Sequence, residues 1–187
     1  PDDSYHGITY AEHFGKEGAF ITKATAQLMR DFGCVQSPIN AYMLNLGLES
    51  LHVRMARHCE NGQAVAEFLA SHPKIAYVNY CGLPGDKYHA VAEKYLPNGS
   101  CGVVSFGVKG GRKAAAAFMG HLKIAAIETH VADARTCCLH PASSTHRQMN
   151  DEQLIAAGVQ PDLVRMSCGL EDKNDLIHDI AQALDQI

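Results

Sequence analysis

Leu163-Val164-Arg165-Met166-Ser167-Cys168-Gly169-Leu170-Glu171-Asp172 reads as a strand that turns directly into a helix. Successive side chains of a strand point to opposite faces. Val164, Met166 and Cys168 therefore share one face, and Arg165, Ser167 and Gly169 the other. Asp172 is a good N-cap, with Asp175 three residues on. Beyond it Leu176, Ile177, Ile180, Ala181, Leu184 and Ile187 fall on one helical stripe. An apolar strand face followed by an amphipathic helix predicts a sheet with a helix laid against it. Arg165 is left on the face turned away from that helix. Two readings of it stay open on pattern alone. It is a solvated strand arginine, or it is a carboxylate clamp. In the second case the planar guanidinium offers paired donors, and the small neighbours Ser167 and Gly169 leave room for a ligand.

Upstream, residues 75–80, 102–108, 126–131 and 136–142 read as further strands closed by turn residues, with 163–168 the fifth. Helical patterns fall between them at 86–95, 112–122 and 151–157. An earlier helical stretch covers 21–31 and is stopped by Gly33. Ser37-Pro38 then opens a long helix, Ser as cap and Pro at the first helical position. Ile39, Tyr42, Met43, Leu46, Ser50 and Leu51 keep its period, and Ala64, Phe68 and Leu69 carry it on to His72-Pro73. A helix of that length spans roughly 50 Å at 1.5 Å per residue. It must bend near Asn61-Gly62 or bridge two domains. The irregular order of strands and helices predicts an α+β fold, an antiparallel-rich sheet covered by helices on one face and preceded by the long helix.

The chain has 187 residues, 47% hydrophobic and 19% charged, enough to bury a core without metals or disulfides. A formal net charge of −4 and no dense basic patch exclude a nucleic-acid partner. No apolar run approaches the ~20 residues that span a bilayer. The opening Pro1-Asp2-Asp3-Ser4 is polar, lacks an initiator Met and is no signal peptide, which suggests a piece of a longer precursor or a processed terminus. Seven cysteines without a Cys-x-x-Cys pair suit reduced thiols in a cytoplasmic protein. Cys137 and Cys138 could form a redox or soft-metal pair, but adjacent strand residues face opposite sides.

Arg165-x-Ser167-x-Gly169-x-Glu171-Asp172 followed by a helix resembles the closing motif of the fold-type I pyridoxal-phosphate (PLP) enzymes of cysteine and methionine metabolism, the cystathionine γ-synthase-like family. The likeness runs from Tyr5-His6-Gly7 through Gly47-Leu48-Glu49-Ser50-Leu51 and Arg54-Met55 to the C-terminus. Together with Val108-Lys109-Gly110-Gly111 and His140-Pro141-Ala142-Ser143-Ser144-Thr145-His146, it is most similar to the O-acetylhomoserine sulfhydrylase group. The resemblance implies that residues 1–60 are the tail of a large PLP-binding domain with a connecting helix, and that 61–187 are the small C-terminal domain. It implies that Arg165 binds the α-carboxylate of an amino-acid substrate.

Glu128-Thr129-His130-Val131-Ala132-Asp133-Ala134 is similar to a family loop that helps hold that carboxylate, which makes His130 a further substrate-binding candidate. The family often has Ser or Asn where His130 stands, and Gly where Ala132 stands. Ser143 and Thr145, with His140, Ser144 and His146, would line the mouth of the site, or alternatively cap the turn after their strand.

PLP is the implied cofactor, yet no catalytic residue is expected in this chain, because the family's Schiff-base lysine lies in an upstream Ser-x-Thr-Lys tract. Lys23 in Ile21-Thr22-Lys23 matches a family helix lysine without chemical role. The implied partners are the upstream PLP-binding domain and further copies in a homodimer or homotetramer. The implied reaction expels acetate from O-acetyl-L-homoserine by γ-elimination and adds sulfide to give L-homocysteine, with PLP as electron sink. A γ-synthase or γ-lyase of the same family is the alternative activity, and a non-catalytic fragment or interaction domain the alternative class. Eleven histidines raise the question of a metal, but His52 and His58 face different sides of a helix. His140 and His146 have no third ligand at recognisable spacing, so no metal is expected. Lys109-Gly110-Gly111 lacks a full nucleotide-binding pattern.

Overall fold

The computed structural model describes all 187 residues, which divide into two units, Pro1–Glu49 and Ser50–Ile187. In the first unit, Asp2 caps a single turn, Asp3–Tyr5, by accepting from the Ser4 amide at 3.1 Å. Helix α1 (Tyr10–Thr22) is interrupted at Gly15, whose φ of 71° only glycine adopts freely. It runs on through a π-helical stretch, Lys23–Met29, into α2 (Arg30–Phe32), so the helical segment starts well before the expected residue 21. Gly33, at φ 67°, ends it in the left-handed region as the sequence predicts. The Tyr10 hydroxyl donates to Gln27 Oε1 at 2.7 Å, and Lys23 forms an ion pair with Asp2. The Lys23 and Ser4 hydrogen bonds pull the Asp2 carboxyl down to about 2. Helix α3 (Pro38–Glu49) follows its Ser37 cap, which accepts from the Asn40 amide at 3.3 Å, and buries no residue.

The second unit opens with α4 (Leu51–Ser71) and continues β1 (Ile75–Asn79), α5 (His89–Tyr95), β2 (Val103–Val108), α6 (Gly111–His121), β3 (Ala126–Ile127), β4 (Cys137–Leu139), α7 (Asp151–Ala156), β5 (Leu163–Ser167) and α8 (Lys173–Asp185). The strands form one sheet in the order β1-β2-β5-β4-β3, antiparallel except for the β3–β4 pair. Val65, Ala66 and Leu69 of α4, Ala115, Phe118 and Met119 of α6, and Leu176, Ile180, Ala183 and Leu184 of α8 pack on one face of it. They meet Val104, Phe106, Val164 and Met166 there, with Phe106 and Phe118 edge to face at 5.8 Å. This is the α+β sheet with helices on one face that the pattern predicts.

Two expectations change. The single long helix is two, α3 and α4, separated at Ser50 (φ −102°, ψ 0°). Asn61-Gly62 does not bend α4. The Asn61 amide donates to the carbonyls of Gly169 at 2.9 Å and Glu171 at 2.8 Å, and a Cβ at Gly62 would lie 2.6 Å from the Cys101 carbonyl oxygen. That glycine is there for close packing rather than for a hinge. The third and fourth strands are also shorter than predicted, because residues 128–136 form a loop held by side chains and by single backbone bonds such as Leu170 N–H to the Ala134 carbonyl at 2.8 Å, rather than by a continuous ladder.

Candidate functional site

The face of the sheet opposite the helices carries Arg165 at its centre. Its cross-strand neighbours are Ser105 on β2 and Leu139 on β4, which puts all three on that face. Beside them opens a cavity of about 460 Å³ lined by Ser105, Thr129, Leu139, Pro141, Thr145, His146, Leu163 and Arg165. Arg165 Nη2 donates to the Thr129 carbonyl at 2.7 Å, while Nε is buried without a partner. None of the ion pairs of the chain involves Arg165. A guanidinium only partly satisfied by its own protein, at the edge of a cavity, is suited to receive an anion.

The remaining residues of the closing motif hold the 128–136 loop against the sheet. Ser167 Oγ accepts from the Ala132 amide at 3.0 Å. A Cβ at Gly169 would meet Arg135 C at 2.4 Å and the Ala134 oxygen at 2.5 Å, so only glycine lets the loop lie this close. The Glu171 carboxylate accepts from the Thr136 amide at 2.7 Å and from its hydroxyl at 2.8 Å, and that hydroxyl accepts from the Gly169 amide at 2.8 Å. Ala132 sits at φ 58°, a left-handed conformation that costs a residue with a Cβ about 1 kcal/mol or more. The substitution of Ala for the family's frequent Gly therefore falls where glycine is the unstrained choice.

The structure brings together only part of the sequence-predicted set. Thr145 and His146 line the cavity with Arg165, their side chains joined by a 2.9 Å hydrogen bond between Oγ1 and Nδ1. Ser143 is turned to His140: its hydroxyl lies 2.8 Å from Nδ1, and Nε2 lies 2.9 Å from the Pro161 carbonyl. Since a carbonyl only accepts, Nε2 carries the proton and Nδ1 accepts from Ser143. Burial holds the His140 ring below the usual imidazole range. His130 is not part of the cavity lining. Its Nδ1 faces Glu128 Oε2 at 3.0 Å and Asp133 Oδ2 at 3.3 Å. Ser105 and Thr129 went unnoticed in the sequence. Ser105 alternates with the core residues Val104 and Phe106 and so was findable from strand period. Thr129 contributes a backbone oxygen, which no residue type announces.

Comparison with known proteins bears directly on this arrangement. The model of the Cys/Met metabolism PLP-dependent enzyme family matches residues 12–185. The chain is 44% identical over 195 residues to the O-acetyl-L-homoserine sulfhydrylase of Leptospira meyeri, covering 100% of this chain and 44% of that protein. It is 42% identical over 185 residues to the homocysteine synthase of Schizosaccharomyces pombe, covering 99% and 43% respectively. A crystal structure of an O-acetylhomoserine (thiol)-lyase from Campylobacter jejuni, carrying a pyridoxyl-lysine phosphate group, superposes with a TM-score of 0.84 at 35% identity. That match covers 99% of this chain and 44% of that one. The chain thus spans less than half the length of the relatives it matches, and over that span it belongs to the Cys/Met metabolism family of PLP-dependent enzymes.

Proposed function

We propose that this chain is the carboxyl-terminal part of a cytoplasmic PLP-dependent sulfhydrylase that converts O-acetyl-L-homoserine and sulfide to L-homocysteine and acetate. The observation that carries the reading is Arg165, a half-buried guanidinium with an orphaned Nε beside a cavity. The names of the relatives supply the substrate class.

PLP supplies the electron sink for such chemistry when bound. The residues of this chain do not by themselves fit the cofactor. The cavity lining includes neither a lysine nor a carboxylate. Lys23, the one lysine with a suggestive Thr-Lys neighbourhood, is hydrogen-bonded by Asp2, which raises its pKa and keeps the amine protonated. The part played here is substrate orientation. Arg165 binds the α-carboxylate, the Thr129 carbonyl fixes the guanidinium, and Thr145 closes the cavity rim. Ser143 acts at one remove by holding His140, and the His130 loop by carrying Thr129. The exposed apolar residues of Pro1–Glu49 support packing against a PLP-binding domain and against a second copy, in a homodimer or homotetramer.

Steady-state kinetics of Arg165→Ala in the complete enzyme, with O-acetylhomoserine and sulfide, tests this. The expected result is a fall in kcat/KM on the order of 10²-fold or more with PLP still bound, and an intermediate value for Arg165→Lys. A near-normal kcat/KM in Arg165→Ala overturns the carboxylate role.

A further inference from the structure

We propose that Glu128, His130, Asp133 and Cys137 form a binding site for a divalent transition-metal ion, zinc by the chemistry of its donors. The ligand atoms of the four side chains all lie within 4.8 Å of one another. They supply two carboxylate oxygens, one imidazole nitrogen and one sulfur, a mixed set that suits a borderline-soft ion better than magnesium or calcium. A tetrahedral zinc with bonds of about 2.0–2.3 Å holds its ligand atoms roughly 3.3–3.7 Å apart. The separations here are 3.0 Å from His130 Nδ1 to Glu128 Oε2, 3.3 Å from that nitrogen to Asp133 Oδ2, and 3.9 Å from Cys137 Sγ to Glu128 Oε2. Small side-chain rotations convert one arrangement into the other.

Cys137 brings the soft donor of the set. It is 2% exposed, yet it does not belong to the core that encloses Cys138. Its strand position turns it to the opposite side, and its thiol has only the Arg135 carbonyl at 3.4 Å and Glu128 at 3.9 Å for contact. The thiol donates weakly to both, and an ion bound beside the carboxylate would replace these long contacts with a coordinate bond.

Arg135 occupies the rim of the cluster, with Nη2 3.1 Å from Glu128 Oε2 and Nε 3.5 Å from Asp133 Oδ1. Its side chain is 59% exposed, and an exposed pair of this kind is weak and screened, so it yields to a multidentate ion. On binding, the Cys137 thiol proton passes to solvent and the thiolate joins the ion, with no redox change. The site lies on the loop that carries Thr129, so occupancy staples that loop. The proposal does not depend on the activity assigned above.

The test is equilibrium dialysis of the complete, PLP-loaded protein against zinc, with cobalt(II) as a spectroscopic substitute read in difference spectra. One zinc per chain is expected, with a cobalt spectrum that includes thiolate charge transfer. Affinity should fall by about tenfold or more in Cys137→Ser and in His130→Ala, the scale that even an outer-shell partner commands. Arg135→Ala, which removes the competing cation, should tighten binding. No zinc uptake, zinc uptake unchanged in His130→Ala, or cobalt bound without a thiolate band would each overturn the proposal. His130 and Arg135 are exposed side chains, so their variants keep the test decisive even where Cys137→Ser fails to fold.

Discussion

Residues 1–49 and residues 50–187 are both rich in apolar side chains but use them differently. In the second unit, helices α4, α6 and α8 bury their stripes against a sheet, and Phe106, Phe118, Leu69, Met166, Leu176, Ile180 and Leu184 are sealed from solvent. In the first, only Tyr10 and Gln27 are buried, while Phe20 is 82% exposed, Phe32 76%, and Ile39 and Met43 63% each. The second unit is a layered α+β domain with a sealed core of its own. The first presents surface of the kind that proteins cover with a partner. Helical period identifies which residues share a face and is silent on what that face packs against.

The largest expected difference is in stability. Phe106→Ala should cost about 3–5 kcal/mol in denaturant unfolding, because it removes a fully enclosed ring and its edge-to-face partner contact with Phe118. Phe20→Ala in the same measurement should change stability by within about 0.5 kcal/mol. Equal losses at the two sites would erase the distinction between the units.

A smaller effect is expected at Glu171. Its carboxylate is the acceptor for both the amide and the hydroxyl of Thr136, so Glu171→Ala leaves a buried amide unsatisfied. The expected loss is about 1–3 kcal/mol, with Glu171→Gln recovering part of it through its remaining oxygen. The same loop carries the Thr129 carbonyl that orients Arg165, so KM for the substrate should rise more than kcat falls. A loss of stability with unchanged KM would separate the loop anchor from the site.

The closing motif also shows what the sequence conveys and what it withholds. Alternation through Val164, Arg165, Met166 and Ser167 places the core on one side and Arg165 on the other, as found. The Asp172 cap is present, accepting from the Asn174 amide at 2.8 Å. The loop anchors at Ser167, Gly169 and Glu171 were not legible, because their partners are backbone groups some thirty residues away. Asp179 was missed for the same reason: it is 4% exposed, and its carboxylate accepts from the amides of Lys123, Ile124 and Ala125. Period reported it only as a polar residue beside an apolar stripe. The helix break at Ser50 escaped because neither Gly nor Pro marks it.

The exposed face of the first unit has a consequence in solution. The 187-residue chain by itself should associate with rising concentration, as read by light scattering. Replacing Ile39 and Met43 with Lys, one turn apart on α3, should weaken that association while altering the unfolding midpoint little. A clean monomer over a wide concentration range would show that the face is not adhesive.

The smallest effect expected is a pH dependence at His140. Burial holds its ring below the usual imidazole range, against the pull of the Pro161 carbonyl. Nε2 donates to that carbonyl and Nδ1 accepts from the Ser143 hydroxyl. Protonating Nδ1 would turn an acceptor into a second donor and break the Ser143 donation. In the unfolded chain the ring titrates near the ordinary value of about 6.5. Between that value and the lower folded one, the unfolded state binds more protons than the folded state, so stability rises with pH there. The contribution is complete above the unfolded pKa and is lost as pH falls through the folded one. Unfolding midpoints measured across that window should therefore decline for wild type as pH falls. His140→Gln, whose amide can still donate toward Pro161 but does not titrate, should be less stable at neutral pH and show a shallower decline. Parallel slopes for the two proteins would assign the acid sensitivity to other groups and leave His140 as a neutral spacer between the 140–146 turn and the strand that carries Arg165.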